Sequence, residues 1–219
     1  MSMLERLLVV GLGSIGVRHL RVIRALVPGV QVIALRHRKY EGGDHAGIDH
    51  SVTSVSEALK FSPQAAVIAN PASLHLDVAV PLAHAGLHLL VEKPLSFSTD
   101  GVSELIETCR ARGLTLMTAY NLRFSPSLQR FRELIQGKRV GSVLSVRAEV
   151  GQFLPSWRPE VDYRKTVSAK ASLGGGVLLE LSHEIDYLRW LFGEIEWVSA
   201  IQRKQSELEI DIEDTAHLI

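Results

Sequence analysis

Gly11-Leu12-Gly13-Ser14-Ile15-Gly16 sets three glycines at G-x-G-x-x-G spacing directly behind the apolar run Leu7–Val10. The chemistry this spacing serves is the holding of a dinucleotide pyrophosphate. Gly11 permits a tight turn, Gly13 lets the backbone approach the phosphates, and Gly16 lets the following helix pack on the strand. Ser14 and Ile15 open that helix, whose positive N-terminus faces the anion. In dinucleotide folds a carboxylate about 20 residues further on holds the ribose 2′-hydroxyl of NAD. Here the second apolar run, Val30–Leu35, ends in Arg36-His37-Arg38-Lys39, with no acid before Glu41. A carboxylate would repel a 2′-phosphate, whereas arginine grips one with paired, charge-assisted hydrogen bonds. The expected cofactor is therefore NADP, with NAD possible, and Arg36, His37 and Arg38 are its candidate contacts. A solvated basic loop is the alternative reading of the same residues.

A site of this kind needs elements to position it, and the pattern supplies them. Leu7–Val10, Val30–Leu35, Ala65–Ala69, Leu87–Val91 and Leu114–Ala119 are short apolar runs, the mark of strands buried on both faces. Between them, apolar residues recur at helical spacing: Gly16, Leu20, Ile23 and Val27, then Val55–Lys60, Leu74–Ala85, and Val102 to Cys109. Alternation of this kind predicts an α/β fold, a doubly wound parallel sheet of the Rossmann type, over residues 1–120. Ligands of such sheets bind at the carboxyl ends of the strands. Those ends carry Asn70, Glu92-Lys93-Pro94 and Asn121. From about residue 121 the alternation stops. Pro126–Gln136 reads as a helix, Val143–Val150 as a half-exposed strand, and 151–173 as an irregular polar and aromatic segment. Gly174-Gly175-Gly176 opens a helix to about Phe192, and Ile195–Arg203 and Ala216–Ile219 read as strands. That is the pattern of an α+β domain with a mainly antiparallel sheet over 121–219, and its last strand runs to the end of the chain without a cap.

Taken together, the glycine turn, Asn70-Pro71 with His75, Glu92-Lys93-Pro94, Asn121-x-Arg123-Phe124, and the triple glycine leading to His183 and Asp186 resemble the Gfo/Idh/MocA oxidoreductase family of glucose–fructose oxidoreductase and inositol dehydrogenase. The resemblance covers essentially the whole chain. It implies a nicotinamide-dependent dehydrogenase, and a C-terminal domain that continues beyond Ile219 in other members. It also implies that Asn70, His75, Glu92, Lys93 and Asn121 lie at the cofactor, with Lys93 beside the nicotinamide and a cis peptide bond before Pro94. An ammonium there could hydrogen-bond a substrate hydroxyl and stabilise a developing alkoxide.

In the second domain the catalytic candidates are His183, Glu180 and Asp186. His183 falls opposite the apolar stripe Val177, Leu181, Ile185, Leu188 and Phe192 and shares its side of the helix with Asp186 and Trp190. Histidine titrates near neutrality and could take a hydroxyl proton while hydride leaves to the nicotinamide. Asp186, three residues on, could orient the ring. A solvated polar helix face is the plainer reading. The acidic partner that the family places four residues before this histidine is replaced by Leu179, and Glu180 lies one position closer. Arg123, Trp157, Arg158, Tyr163 and Arg164 form the expected substrate set. Aromatic faces stack on sugar C–H surfaces and arginines grip carboxylate or phosphate, so the expected substrate is a sugar-like alcohol or ketone. A loop packed on a domain interface would account for the same segment.

Composition narrows the alternatives. The chain has 219 residues, 24 basic and 24 acidic, with a formal net charge of zero, which offers no electrostatic footprint for nucleic acid or an anionic membrane. The single cysteine, Cys109, excludes an internal disulfide and fits a reducing cytoplasm. No stretch approaches the roughly 20 apolar residues of a membrane span. Of the nine histidines, His45 and His50 lie in a Gly/Asp-rich loop, and His75, His84 and His88 lie in or near one helix with no complementary carboxylate at ligand spacing, so no metal is expected. A homo-oligomer through the second-domain sheet is plausible on the need to cover a sheet edge. Two other classes compete with the enzyme. One is a non-catalytic NADP(H)-binding sensor. The other is a methyltransferase, which leaves Glu92-Lys93-Pro94 unexplained and expects an acid where Arg36 stands.

Overall fold

The structure, a computed structural model, describes residues 4–36 and 47–219. The chain forms two compact units, one ending at Ala119 and the other running from Tyr120 to Ile219.

In the first unit, strands β1 (Arg6–Val10), β2 (Gln31–Leu35), β3 (His50–Val52), β4 (Ala65–Ile68), β5 (His88–Val91) and β6 (Leu116–Thr118) form one parallel sheet of order β3-β2-β1-β4-β5-β6. The period-two alternation of side chains divides the core between the two faces. Leu8 and Val10 of β1 join Ile33, Ile68 and Val91 on one face, packed by Ala79, Leu82, Leu105 and Cys109. Leu7 and Val9 join Val32 and Val67 on the other, packed by Leu20. Leu20 belongs to helix α1 (Ser14–Leu26), and the first face is covered by α2 (Val55–Leu59), α3 (His75–His84) and α4 (Val102–Ala111). Burial on both faces is why these strands read as unbroken apolar runs. Each fully buried Leu or Ile contributes about 1.5–3 kcal/mol. Ser54 caps α2, accepting from the Glu57 N–H at 3.2 Å, while the Glu57 carboxylate reaches back to the Thr53 N–H at 2.9 Å.

β3 is not legible in the sequence. It is three residues long at the sheet edge, with only Val52 buried. Its place is set through Asp49, whose Oδ2 accepts from the Val32 N–H at 2.7 Å and whose backbone N–H donates to the Val32 carbonyl at 3.0 Å.

The second unit holds α5 (Pro126–Gln136), α6 (Val177–Glu180), α7 (Ser182–Phe192) and an antiparallel pair, β7 (Ala200–Arg203) with β8 (Thr215–Leu218). Two expectations are corrected. Val143–Val150 forms no strand, because no ladder partner lies beside it among the described residues, and its side chains are exposed. The helix after the glycines is two helices, broken at Leu181 (φ −99°, ψ 23°), so positions before and after the break do not share one helical face. Among the described residues no helix is long and apolar enough to cross a membrane.

Candidate functional site

In the first unit the carboxyl ends of β1, β2, β4 and β5 carry the chemistry, and the strand order reverses between β1 and β4. That reversal is the point at which such sheets open a crevice for a ligand. The Gly11 N–H donates to the Leu35 carbonyl at 3.0 Å, so Arg36 leaves β2 next to the glycine turn. His37 and Arg38 lie outside the described residues.

Two of the three glycines are required by the fold itself. Gly11 has φ +82°, and a Cβ there would lie 2.9 Å from the Ala69 carbonyl oxygen; a Cβ on Gly16 would lie 2.1 Å from the Gly11 carbonyl oxygen. Gly13 is different. A Cβ there would meet nothing within 4 Å among the described residues, and φ is an ordinary −68°. No contact among the described residues therefore requires glycine at this position. Helix α1 begins here with no side-chain cap and no acid in its first turn. Its first N–H groups and the positive end of its dipole thus have no acid of the helix's own first turn to compete for them. Ser14 is exposed and Ile15 half-buried at this opening. Asn70, just beyond β4, donates through Nδ2 to the Leu74 carbonyl at 3.1 Å, and its Oδ1 is buried with no hydrogen-bond partner among the described residues. A buried acceptor of this kind calls for a donor, which a dinucleotide amide or hydroxyl could supply. The residues present fit a dinucleotide.

The turn after β5 is anchored from several sides. The Glu92 N–H donates to the Ile68 carbonyl at 2.8 Å. The Glu92 carboxylate meets His19 Nε2 of α1 at 2.6 Å through Oε1 and accepts the Lys93 N–H at 3.2 Å through Oε2. The Lys93–Pro94 peptide is cis. Beneath it lies His75, only 1% exposed, with Nδ1 at 2.9 Å from the Pro94 carbonyl and Nε2 at 3.0 Å from the Asn70 carbonyl. Burial pushes its pKa below the ordinary histidine value, against the pull of the Asn70, Pro94 and Leu95 carbonyls and the Glu92 charge. His75 and Glu92 were expected to touch the cofactor. The structure turns both toward the protein: His75 ties two turns together, and Glu92 ties one of them to α1. His19 was missed altogether, because its signal, a histidine three residues after Gly16, lies outside the glycine motif.

In the second unit, α7 presents His183, Asp186 and Trp190 on successive turns of one side, and each meets a residue from the unit's first stretch. The rings of Tyr120 and His183 meet edge to face at 5.6 Å. Arg123 clamps Asp186 with both arms of its guanidinium, Nε to Oδ2 at 2.8 Å and Nη2 to Oδ1 at 2.6 Å. The Arg132 guanidinium lies 4.6 Å over the Trp190 ring. This side of α7 is therefore a packed face, and the solvated reading of it fails. Asp186 is turned to Arg123, where the sequence suggested that it orient His183. Asn121 opens the 3-10 turn Asn121–Phe124 that delivers Arg123.

Glu180 ends α6 and accepts from the Ser168 hydroxyl at 2.6 Å. The break at Leu181 sets its direction apart from that of the α7 residues. Nearby, Gly176 has φ +102°, and a Cβ there would strike the Glu213 carboxylate at 2.4 Å.

The expected substrate residues separate into two groups. Arg123 and Arg164 are committed within the chain. Arg164 is held by Asp162 (2.8 and 3.1 Å) and by Glu209 (2.7 Å), and these carboxylates push its already high pKa further up. Lys165 Nζ also lies 4.0 Å from Asp162 Oδ2, so two cations and two carboxylates balance at this exposed cluster. Arg158 is exposed, and Tyr163 accepts the Glu209 N–H through its hydroxyl at 3.2 Å. Trp157 Nε1 is buried with no partner among the described residues. Among the described residues no group of three or more His, Cys, Asp or Glu side chains is placed to hold a metal ion.

Comparison with known proteins agrees with the sheet and the turns. Residues 6–120 match the family described as "Oxidoreductase family, NAD-binding Rossmann fold", and residues 128–219 match the "GFO/IDH/MocA C-terminal domain". The chain belongs to the GFO/IDH/MocA oxidoreductase family. It is similar to an uncharacterized oxidoreductase, YrbE, of Bacillus subtilis, at 27% identity over 84% of this chain and 53% of that one. It is also similar to D-xylose 1-dehydrogenase (NADP(+)) 2 of Haloferax volcanii, at 28% identity over 86% and 59%. Among solved structures, GenD2 from gentamicin A biosynthesis, in complex with NAD, superposes with a TM-score of 0.79 at 28% identity, over 99% of this chain and 63% of that one. The chain spans about half the length of the curated relatives it matches.

Proposed function

We propose that the chain is the dinucleotide-binding and substrate-binding part of an NADP-preferring oxidoreductase that acts on a sugar-like alcohol or ketone. The observation that carries this is the Gly11–Gly16 turn at the reversal of the sheet, opening an uncapped helix beside the buried Oδ1 of Asn70, which has no partner among the described residues. The bound nicotinamide supplies hydride acceptance or donation at its C4. The protein's part is to bind, orient and manage the proton. Gly13, Ser14 and Ile15 receive the pyrophosphate at the start of α1. Arg36, with His37 and Arg38, takes the 2′-phosphate, supported by the absence of an acid before Glu41 and by the NADP named for the Haloferax relative.

Lys93 donates from Nζ to the substrate oxygen and steadies the alkoxide as it forms. His183 exchanges the hydroxyl proton, with its ring held by Tyr120. Glu180 and Asp186 act around it as positioning groups, through Ser168 and Arg123. Trp157, Arg158 and Tyr163 offer an aromatic and cationic surface to a neutral sugar. The same proposal includes assembly through the β7–β8 sheet, where Ile201 is 56% exposed, and a cytoplasmic location.

The test is titration with NADPH and NADH, followed by a screen of D-xylose and myo-inositol for hydride transfer. Tighter binding of NADPH and turnover of a sugar are expected. Failure of the folded chain to bind either nucleotide would overturn the reading.

A further inference from the structure

We infer that His19 is a positioning residue for Lys93, acting through the Glu92 carboxylate; the inference rests on the dinucleotide reading above. His19 lies on α1, the helix whose first turn would take the pyrophosphate. That helix packs on β1 and β4. The contact of His19 Nε2 with Glu92 Oε1 at 2.6 Å carries it one strand further, to the end of β5. The other carboxylate oxygen accepts the Lys93 N–H at 3.2 Å. One carboxylate thus joins the helix that would bind the dinucleotide to the main chain of the residue that would meet the substrate.

The pair is poorly solvated, with side-chain exposures of 19% for His19 and 13% for Glu92. Taking such groups out of water offsets most of what their attraction contributes to stability. What remains is placement: with both oxygens held, the Glu92 side chain has one orientation, and the Lys93 N–H with it. On the far side of Lys93, His75 meets the Pro94 carbonyl at 2.9 Å. Lys93 is therefore fenced on both sides, and His19 is the part of that fence that comes from α1. Loosening it would let Lys93 drift while leaving the glycine turn intact, and a drift of about 1 Å at a reacting group costs up to about 100-fold in rate.

The test compares His19→Leu with His19→Gln, whose Nε2 keeps a donor for Glu92. Three readouts are taken on the full chain: amide hydrogen exchange at Lys93, the NADPH dissociation constant, and the single-turnover hydride-transfer rate with whichever sugar the screen of D-xylose and myo-inositol turns over. For His19→Leu, Lys93 exchange should quicken about tenfold as the carboxylate swings free. Hydride transfer should slow about tenfold or more, with NADPH affinity changed less than about threefold, and His19→Gln should restore most of both. The inference is overturned if His19→Leu leaves Lys93 exchange unchanged. It is overturned equally if exchange quickens while hydride transfer keeps its rate, or if His19→Gln is as impaired as His19→Leu. Failure of the unaltered chain to bind NADPH would sink the proposed function instead. The Lys93 exchange comparison, which needs no nucleotide, would still decide whether His19 holds that turn.

Discussion

The Arg123–Asp186 clamp makes a directional prediction about the second unit. The Asp186 carboxylate belongs to a residue 8% exposed, whereas the Arg123 side chain is 42% exposed. The two partners therefore do not lose equally when the other is removed. In Arg123→Met the carboxylate keeps its burial and loses the two donors at 2.8 and 2.6 Å. Stranding one charge of a fully buried pair costs about 3–5 kcal/mol and breaking an exposed pair costs under about 1, so a half-open clamp should cost about 2–4 kcal/mol. In Asp186→Asn the guanidinium turns to water and the amide oxygen still accepts one bond, so the cost should stay near 1 kcal/mol. All three tryptophans, Trp157, Trp190 and Trp197, lie in the second unit, so their fluorescence during urea unfolding reports on that unit by itself. Arg123→Met should lower the midpoint clearly more than Asp186→Asn at an unchanged slope. Equal losses, or a larger loss for Asp186→Asn, would refute the argument that burial of the carboxylate sets the cost.

Gly13→Ala should leave stability within about 0.5 kcal/mol, since its Cβ meets nothing within 4 Å among the described residues, yet weaken NADPH binding about tenfold by crowding the pyrophosphate; normal binding would refute the pyrophosphate role proposed for that glycine. Arg36→Ala should raise the NADPH dissociation constant and leave that of NADH nearly unchanged, and equal effects on the two in the same titrations would dissociate Arg36 from the 2′-phosphate. Burial lowers the His75 pKa, so between its folded value and about 6.5 the unfolded chain binds the extra proton. Stability should then be full above about 6.5 and fall as pH drops through that window. Urea midpoints across pH 5–8 should show this slope in the wild type and a flatter one in His75→Asn. Burial would raise the Asp214 pKa, but the N–H groups of Gln205 and Ser206 and the hydroxyls of Ser206 and Thr215 bring it down to about 2. Its depressed value contributes stability above the ordinary aspartate range that is lost as pH falls toward 2. The protection of the Gln205 and Ser206 amides, taken relative to their intrinsic exchange rates, should accordingly hold at pH 4 and be lost near pH 2.

The parallel sheet was legible because strands buried on both faces must be apolar at every position, as Leu7–Val10 and Ala65–Ile68 are. The glycine turn was legible because a close approach admits only glycine. The strand expected over Val143–Val150 was misread for the converse reason. Alternation describes a strand's faces, but pairing needs a neighbour, and no local pattern reports whether one is there. The helix after Gly176 was read as continuous because Val177 to Phe192 keeps its stripe through Leu181, where the backbone turns aside.

Local spacing by itself determined the dinucleotide turn, the strand ends that carry Asn70 and Lys93, and the polar side of α7, since each depends on residues within a turn or two of one another. Only the tertiary structure decided what those side chains hold. His19 finds Glu92 across 73 positions and Arg123 finds Asp186 across 63. Arg164 is likewise spent on Asp162 and on Glu209, 45 residues away. A charged group settles on whichever opposite charge the fold desolvates beside it, and that choice is made by packing, at separations where sequence carries no period.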